Sequence, residues 1–231
     1  MKPSLPVLLS VNGGYVDTAG FLALHGLFTT HVTGNFVTLG AALVLGTGGA
    51  VAKLLALPMF CIVVIATRLA SVALAARSPG TGVPALRALL GIKVALLVLG
   101  AGLAIGLGPF RSGDGWAALL TGMTLVAAMA IQNAIHRIHM SAAPPTTIMT
   151  GNTTQIMIDL ADLMRGVPAD ARNAIRSRLA RMSGNAAAFA AGCAVAAFVY
   201  ARQDVWCFLI PPIVAGCALW LRELRDPHSG T

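Results

Sequence analysis

Two stretches of this 231-residue chain carry the same polar signature. Thr29-Thr30-His31-Val32-Thr33-Gly34-Asn35 matches Thr146-Thr147-Ile148-Met149-Thr150-Gly151-Asn152 at a constant offset from 29 to 146, with five of the seven residues identical. Glycine frees the backbone from helical geometry, and Thr or Asn can cap a helix that starts there. The N–H groups exposed at such a start form a partial positive charge. At membrane depth, two such starts facing one another make a polar site with donors and acceptors, since broken backbone is tolerated there only when buried in protein or lining a cavity. The plainer alternative is that each signature caps and packs one buried helix.

Around these signatures lie the other residues able to do chemistry. Asp17 falls inside an apolar run beside Gly13-Gly14, and an ionisable group at that depth points to function. It is read either as a proton-coupling group or as a carboxylate that pairs with backbone N–H groups and holds a glycine break in shape. The second half carries the polar pair Gln132-Asn133 and, past its signature, Gln155. The expected solute site is therefore Asp17, Thr30, Thr33 and Asn35 against Gln132, Asn133, Thr150, Asn152 and Gln155. His25 and His31 join Asp17 as proton-coupling candidates. His136 and His139 have metal-like spacing but no supporting third ligand, so no metal and no cofactor are expected. No nucleophile elbow, zinc-protease, phosphate-loop or dinucleotide motif occurs in its context, so the chain is not expected to be an enzyme.

The elements that must position these residues follow from composition. Hydrophobic residues make up 57% of the chain and charged residues 10%, against about 25% charged in a soluble domain. So few charges cannot solvate a globule of this size, which excludes a soluble enzyme, a disordered chain and a secreted disulfide scaffold. The surface must face lipid. A crossing helix needs about 20 apolar residues, and Leu54–Ala76, Ala88–Phe110, Gly115–Ala134 and Gly184–Tyr200 with its flanks qualify. Val205–Leu221 is a shorter fifth, and Leu5 to Leu24 a sixth, interrupted at Asn12-Gly13-Gly14 and Asp17. Thr29–Gly46 and Thr146–Met164 start polar and become helical, so they are either re-entrant half-helices or two more crossings.

The net charge of +8 is read as topology and lipid-headgroup contact, with no nucleic acid as partner. Arg165, Arg172, Arg176, Arg178 and Arg181 mark one cytoplasmic segment. Six crossings with two half-helices place 13 basic residues inside and three outside (Lys53, Arg111, Arg202), whereas eight crossings give ten and six. The positive-inside rule favours six, with both termini cytoplasmic. Arg68 and Lys93 are counted as snorkelling to helix ends, and Tyr200 and Trp206 as interfacial anchors. Pro168–Met182 is expected to lie on the inner leaflet as a basic amphipathic helix.

The signatures divide the chain into halves, 1–112 and 113–231, together one membrane domain. Three crossings in each half would make the second enter from the opposite side, an inverted repeat of the kind found in secondary transporters. Gly184, Ala188, Gly192 and Ala196, and separately Gly102 and Gly106, form small-residue faces for close packing. Cys61, Cys193, Cys207 and Cys217 are read as small buried hydrophobes.

Gly13–Gly40, GGYVDTAGFLALHGLFTTHVTGNFVTLG, resembles the N-terminal signature of the YoaK-like family of bacterial membrane proteins, domain of unknown function 1275. Met149–Gln155, MTGNTTQ, is similar to that family's companion motif, and the likeness runs over essentially the whole chain. It carries over Asp17, Thr33, Gly34, Asn35, Thr150, Gly151 and Asn152, and it implies a multi-pass protein of the bacterial cytoplasmic membrane without naming a substrate. The expectation is an all-α polytopic bundle serving as a small secondary transporter of a small polar solute, with proton coupling; the rival is a non-transporting sensor or assembly protein. Its expected partners are the lipid bilayer and that solute, with homo-oligomerisation left open.

Overall fold

Apolar runs of this length satisfy their backbone hydrogen bonds internally, so they become long helices. The computed structural model describes residues 4–77 and 83–221. In chain order they form α1 (Leu5–Ala23), α2 (Gly34–Leu45), α3 (Ala50–Arg77), α4 (Val83–Leu107), α5 (Trp116–His139), α6 (Met149–Arg165), α7 (Ala169–Gln203), a 3-10 turn (Asp204–Leu209) and α8 (Ile210–Leu219). No strand occurs among the described residues. Lys2, Arg222, Arg225 and both termini, which enter the charge count, lie outside them.

Four helical units are long and apolar enough to cross a membrane: α3, α4, α5 and the continuous stretch Ala169–Leu219. Of these, α5 is the axis, buried along most of its length from Ala118 to His136. By contrast α3 and α4 expose Ile62, Ile65, Leu69, Ile92, Val98 and Leu99 on the outside of the bundle, the apolar surface that composition demanded.

The expected interruption of the first run at Asn12-Gly13-Gly14 is absent. α1 is an unbroken helix, and its glycines are points of close approach. A Cβ at Gly14 would fall on the Phe189 carbonyl oxygen, and one at Gly192 on the Val11 carbonyl oxygen. Gly14 and Gly192 thus bring the backbones of α1 and α7 into contact, in the most extensive helix pairing among the described residues. Gly13 faces the other way, towards Gln132 and Thr147. The two helices run parallel, with Ser4–Val7 level with Arg181–Asn185 and Tyr200 donating to the Leu22 carbonyl.

Two segments leave the bundle and return by the same end. After α1 the backbone turns at His25 and Gly26 (φ +54° and +83°) and doubles back, setting Thr29 and Thr30 beside Asp17. α2, about 18 Å long, then leads out again to Gly49, beside His25. At the opposite, arginine-rich end, the chain leaves α5 and returns to place Thr146 at Gln132 and Thr147 at Asn133. α6 leads back out to the point where Asp159 meets Arg178.

Four further expectations need correction. Pro168–Met182 is no separate surface helix, because α7 runs unbroken for 35 residues, about 52 Å. The basic half of α7 continues straight into its apolar half and is held to α6. Arg178 donates to Asp159 from Nε at 2.9 Å and Nη2 at 2.5 Å, which holds that carboxyl below the usual aspartate range. The glycines at 102, 106 and 184 have nothing within 4 Å; the close contacts on these helices are Gly100 against Leu125 and the buried face Asn185, Gly192 and Ala196. Cys61 and Cys217 are exposed on the apolar outside of the bundle, and only Cys207 is fully buried. Finally, Lys93 does not snorkel. It lies near the middle of α4, is 0% exposed, and leaves the basic count at 12 to three.

A candidate solute site at two facing chain breaks

At the first break, Asp17 is buried at 4% exposure yet fully engaged, where no partner was evident from sequence. Its Oδ1 accepts the backbone N–H groups of Thr29 (2.9 Å), Thr30 (2.7 Å) and His31 (3.4 Å). His31 Nδ1 donates to its Oδ2 at 2.6 Å. The carboxylate therefore sits in a nest of N–H dipoles, which stabilise its charge without cancelling it.

The asparagines of both signatures do a job other than helix capping. Neither α2 nor α6 has a side-chain cap. Asn35 reaches back seven residues to Phe28, accepting its N–H and donating to its C=O, each at 2.8 Å. Asn152 reaches back the same distance to donate to the Pro145 carbonyl at 2.8 Å. Proline has no N–H, so Asn152 Oδ1 is buried without a partner. Gly34 supplies room rather than a break, since a Cβ there would meet the Phe28 ring at 3.1 Å.

The second break is held by amides and a lysine. Gln132 Nε2 donates to the Leu9 carbonyl (2.9 Å) and Thr146 Oγ1 (3.2 Å), while its Oε1 accepts Lys93 Nζ at 2.5 Å. Thr147 Oγ1 donates to Asn133 Oδ1 at 2.7 Å. No acidic residue occurs in α3, α4, α5 or α8, so the Lys93 amino group faces an amide oxygen with no carboxylate on its own or these neighbouring helices.

The two breaks meet. A cavity of about 310 Å³ is lined by Thr30, His31 and Thr33 from the first and by Thr147 and Thr150 from the second, with Asn133 between them. A second cavity of the same volume adjoins it, lined by Asp17, Phe21, Phe28, His31, Phe189 and Cys193. His31 borders both.

Of the residues read from sequence, Thr30, Thr33, Asn133 and Thr150 thus line one cavity, and Asp17 and His31 the next. Gln132 stands behind Gly13, and Asn35 and Asn152 staple the loops. Two fall elsewhere. Gln155 donates to Asp159 Oδ1 at 2.8 Å, further along α6. His25 bonds the Phe110 carbonyl at 2.9 Å, at the far end of α1. Sequence reasoning missed Lys93 and the rings Phe21, Phe28 and Phe189. Lys93 carried a usable signal in its central place within an apolar run; the rings carried none, because they meet only where α1, its returning loop and α7 pack together.

Long apolar helices around a polar centre define the class: this is an integral membrane protein of the all-helical, multi-span kind. Residues 5–221 match the profile of the family described as Protein of unknown function (DUF1275), and the chain belongs to that family. No curated protein and no solved structure matches it.

Proposed function

We propose that the chain is a small secondary transporter of the bacterial cytoplasmic membrane, carrying a small polar solute in exchange for or together with a proton. The observation that carries this reading is the shared cavity, where Thr30, Thr33, Thr147 and Thr150 from the two breaks, with His31 and Asn133, line one space beside the apolar side chains of Leu57 and Phe60 on α3. Half-helices whose N-termini meet near mid-bundle are the construction by which secondary transporters bind solute. In this reading α1, α3, α4, α5, α7 and the 3-10 turn with α8 cross the membrane, and α2 and α6 are re-entrant. The arginine-rich end is cytoplasmic, consistent with 12 basic residues against three. The halves 1–112 and 113–231 then insert in opposite senses, each with a break that enters and leaves by one face. Asp17 and His31 are the proton-coupling pair, and no catalytic role is assigned to any residue.

The full engagement of Asp17, Asn35 and Asn152 in loop staples favours one rival, a non-transporting sensor or assembly protein whose breaks are structural. Reconstitution in proteoliposomes with an imposed pH gradient separates the two. Transport predicts saturable flux of a small solute identified by its stabilisation of the purified protein, with coupling to the gradient lost in Asp17→Asn. Absence of flux across the solutes that stabilise the protein, with Asp17→Asn retaining cellular function, would establish the rival.

A further inference from the structure

The geometry points to the cavity beside Asp17 as a binding site for a small organic cation, which enters as His31 gives up its proton. This rests on the transporter reading only for the claim that the cation is carried. Phe21 and Phe28 lie tilted at 44° with ring centroids 4.8 Å apart, Phe28 meets His31 edge-on at 6.3 Å, and His31 meets Phe189 edge-on at 5.4 Å. Three phenyl rings and a buried carboxylate thus line one space of about 310 Å³, ample for an alkylammonium head. Aromatic faces attract ammonium groups through their quadrupole, more strongly when desolvated, and a carboxylate in low dielectric supplies the charge.

The neighbour of Asp17 makes the site conditional. With His31 protonated, the imidazolium and the carboxylate, 2.6 Å apart, form a neutral pair, and the cavity offers a cation nothing but rings. With His31 neutral, the carboxylate keeps its negative charge and a ligand cation can balance it. One proton passes from imidazolium to water for each cation bound, so the exchange is electroneutral. Of the groups lining the cavity, Asp17 on α1, His31 on the returning loop and Cys193 on α7 are the ones that ionise; the second break faces His31 across the adjoining cavity with the uncharged residues Thr147, Ile148, Met149 and Thr150.

The test uses the purified full chain in detergent, with choline and tetramethylammonium as probes and 3,3-dimethylbutan-1-ol as choline's neutral isostere. Calorimetry and thermal unfolding should show saturable binding of the cations and none of the alcohol. Affinity should rise with pH, with up to one proton released per cation bound. His31→Gln should bind with a pH-independent Kd and release no proton. Phe189→Leu should weaken binding about tenfold, and Asp17→Asn, whose amide oxygen can still accept the loop N–H groups, should abolish it. Equal binding of the alcohol, wild-type affinity in Asp17→Asn, or no binding of either cation at millimolar concentration would each overturn the assignment. Cation binding without flux in proteoliposomes would leave the site and remove the transporter. Flux of another solute that is indifferent to Asp17→Asn would leave the transporter and remove the site.

Discussion

The two breaks share a staple and differ in charge. In both, an asparagine grips the backbone seven residues upstream, Phe28 in one and Pro145 in the other. The first break is then closed on a carboxylate and an imidazole, and the second on Gln132, Asn133 and a buried lysine. The lesson is that the recurring Thr-Gly-Asn fixes how the chain turns back, while the residues opposite it decide what the turn can do. A carboxylate collecting three N–H groups has its acceptor sites well filled, whereas a buried lysine amine with one amide acceptor is poorly satisfied. The asymmetry sets His31, bonded to the Asp17 carboxylate, on one side of the shared cavity and Asn133 with Thr147 and Thr150 on the other.

The largest expected break in this comparison is Asp17→Ala. It strands three loop N–H groups and the His31 ring in a buried site and should cost about 3–5 kcal/mol; denaturation of the purified protein measures it, and Asp17→Asn should cost well under half as much. The second break responds differently. Gln132→Leu alone leaves Lys93 buried without an acceptor and should cost about 3 kcal/mol, whereas the double change Gln132→Leu with Lys93→Met should recover most of that loss in a double-mutant cycle.

The staples sharpen the contrast at smaller scale. Asn35→Ala removes two hydrogen bonds and Asn152→Ala one, so the first should cost about 2 kcal/mol and the second about 1. Pro145→Ala restores an N–H opposite the orphaned Asn152 Oδ1 and should stabilise by up to about 1 kcal/mol; a loss of stability there would show that proline's rigidity outweighs the missing bond. The smallest effect is on the hairpin of α6 and α7. The Asp159 carboxyl is held below its unfolded value by Arg178, with Gln155 assisting. Its stabilisation is therefore present above the ordinary aspartate pKa and lost as pH falls through the lower folded value. Hydrogen exchange in α6 should accelerate over that acid window in the wild type and lose this pH dependence in Asp159→Asn.

Much of this is legible in the sequence. Repetition alone singled out Thr30, Thr33 and Thr150, and the structure sets them around one cavity. Asp17 stands out because charge is expensive in an apolar run, and its engagement with loop N–H groups matches one of the two roles its sequence setting suggests. Gly13 and Gly14 misled, because between membrane helices glycine more often permits contact than breaks a helix, and only the partner at Gly192 reveals which. Lys93 was misplaced because distance to a helix end does not say which way a side chain points. Phe189 was invisible as a site residue, since nothing local joins it to Phe28 and His31. Gln155 looked equivalent to its polar neighbours, but lies further along α6, where it serves Asp159.

The central claim is that the two breaks face one cavity that opens to each side of the membrane in turn. In a chain lacking its native cysteines, Thr33→Cys and Thr150→Cys can be tested in proteoliposomes of defined orientation with an impermeant thiol reagent. The account predicts that both positions react from both sides, and that one solute protects both. Reaction of Thr33→Cys from one side only and Thr150→Cys from the other only would mean two separate structural loops, and would contradict it.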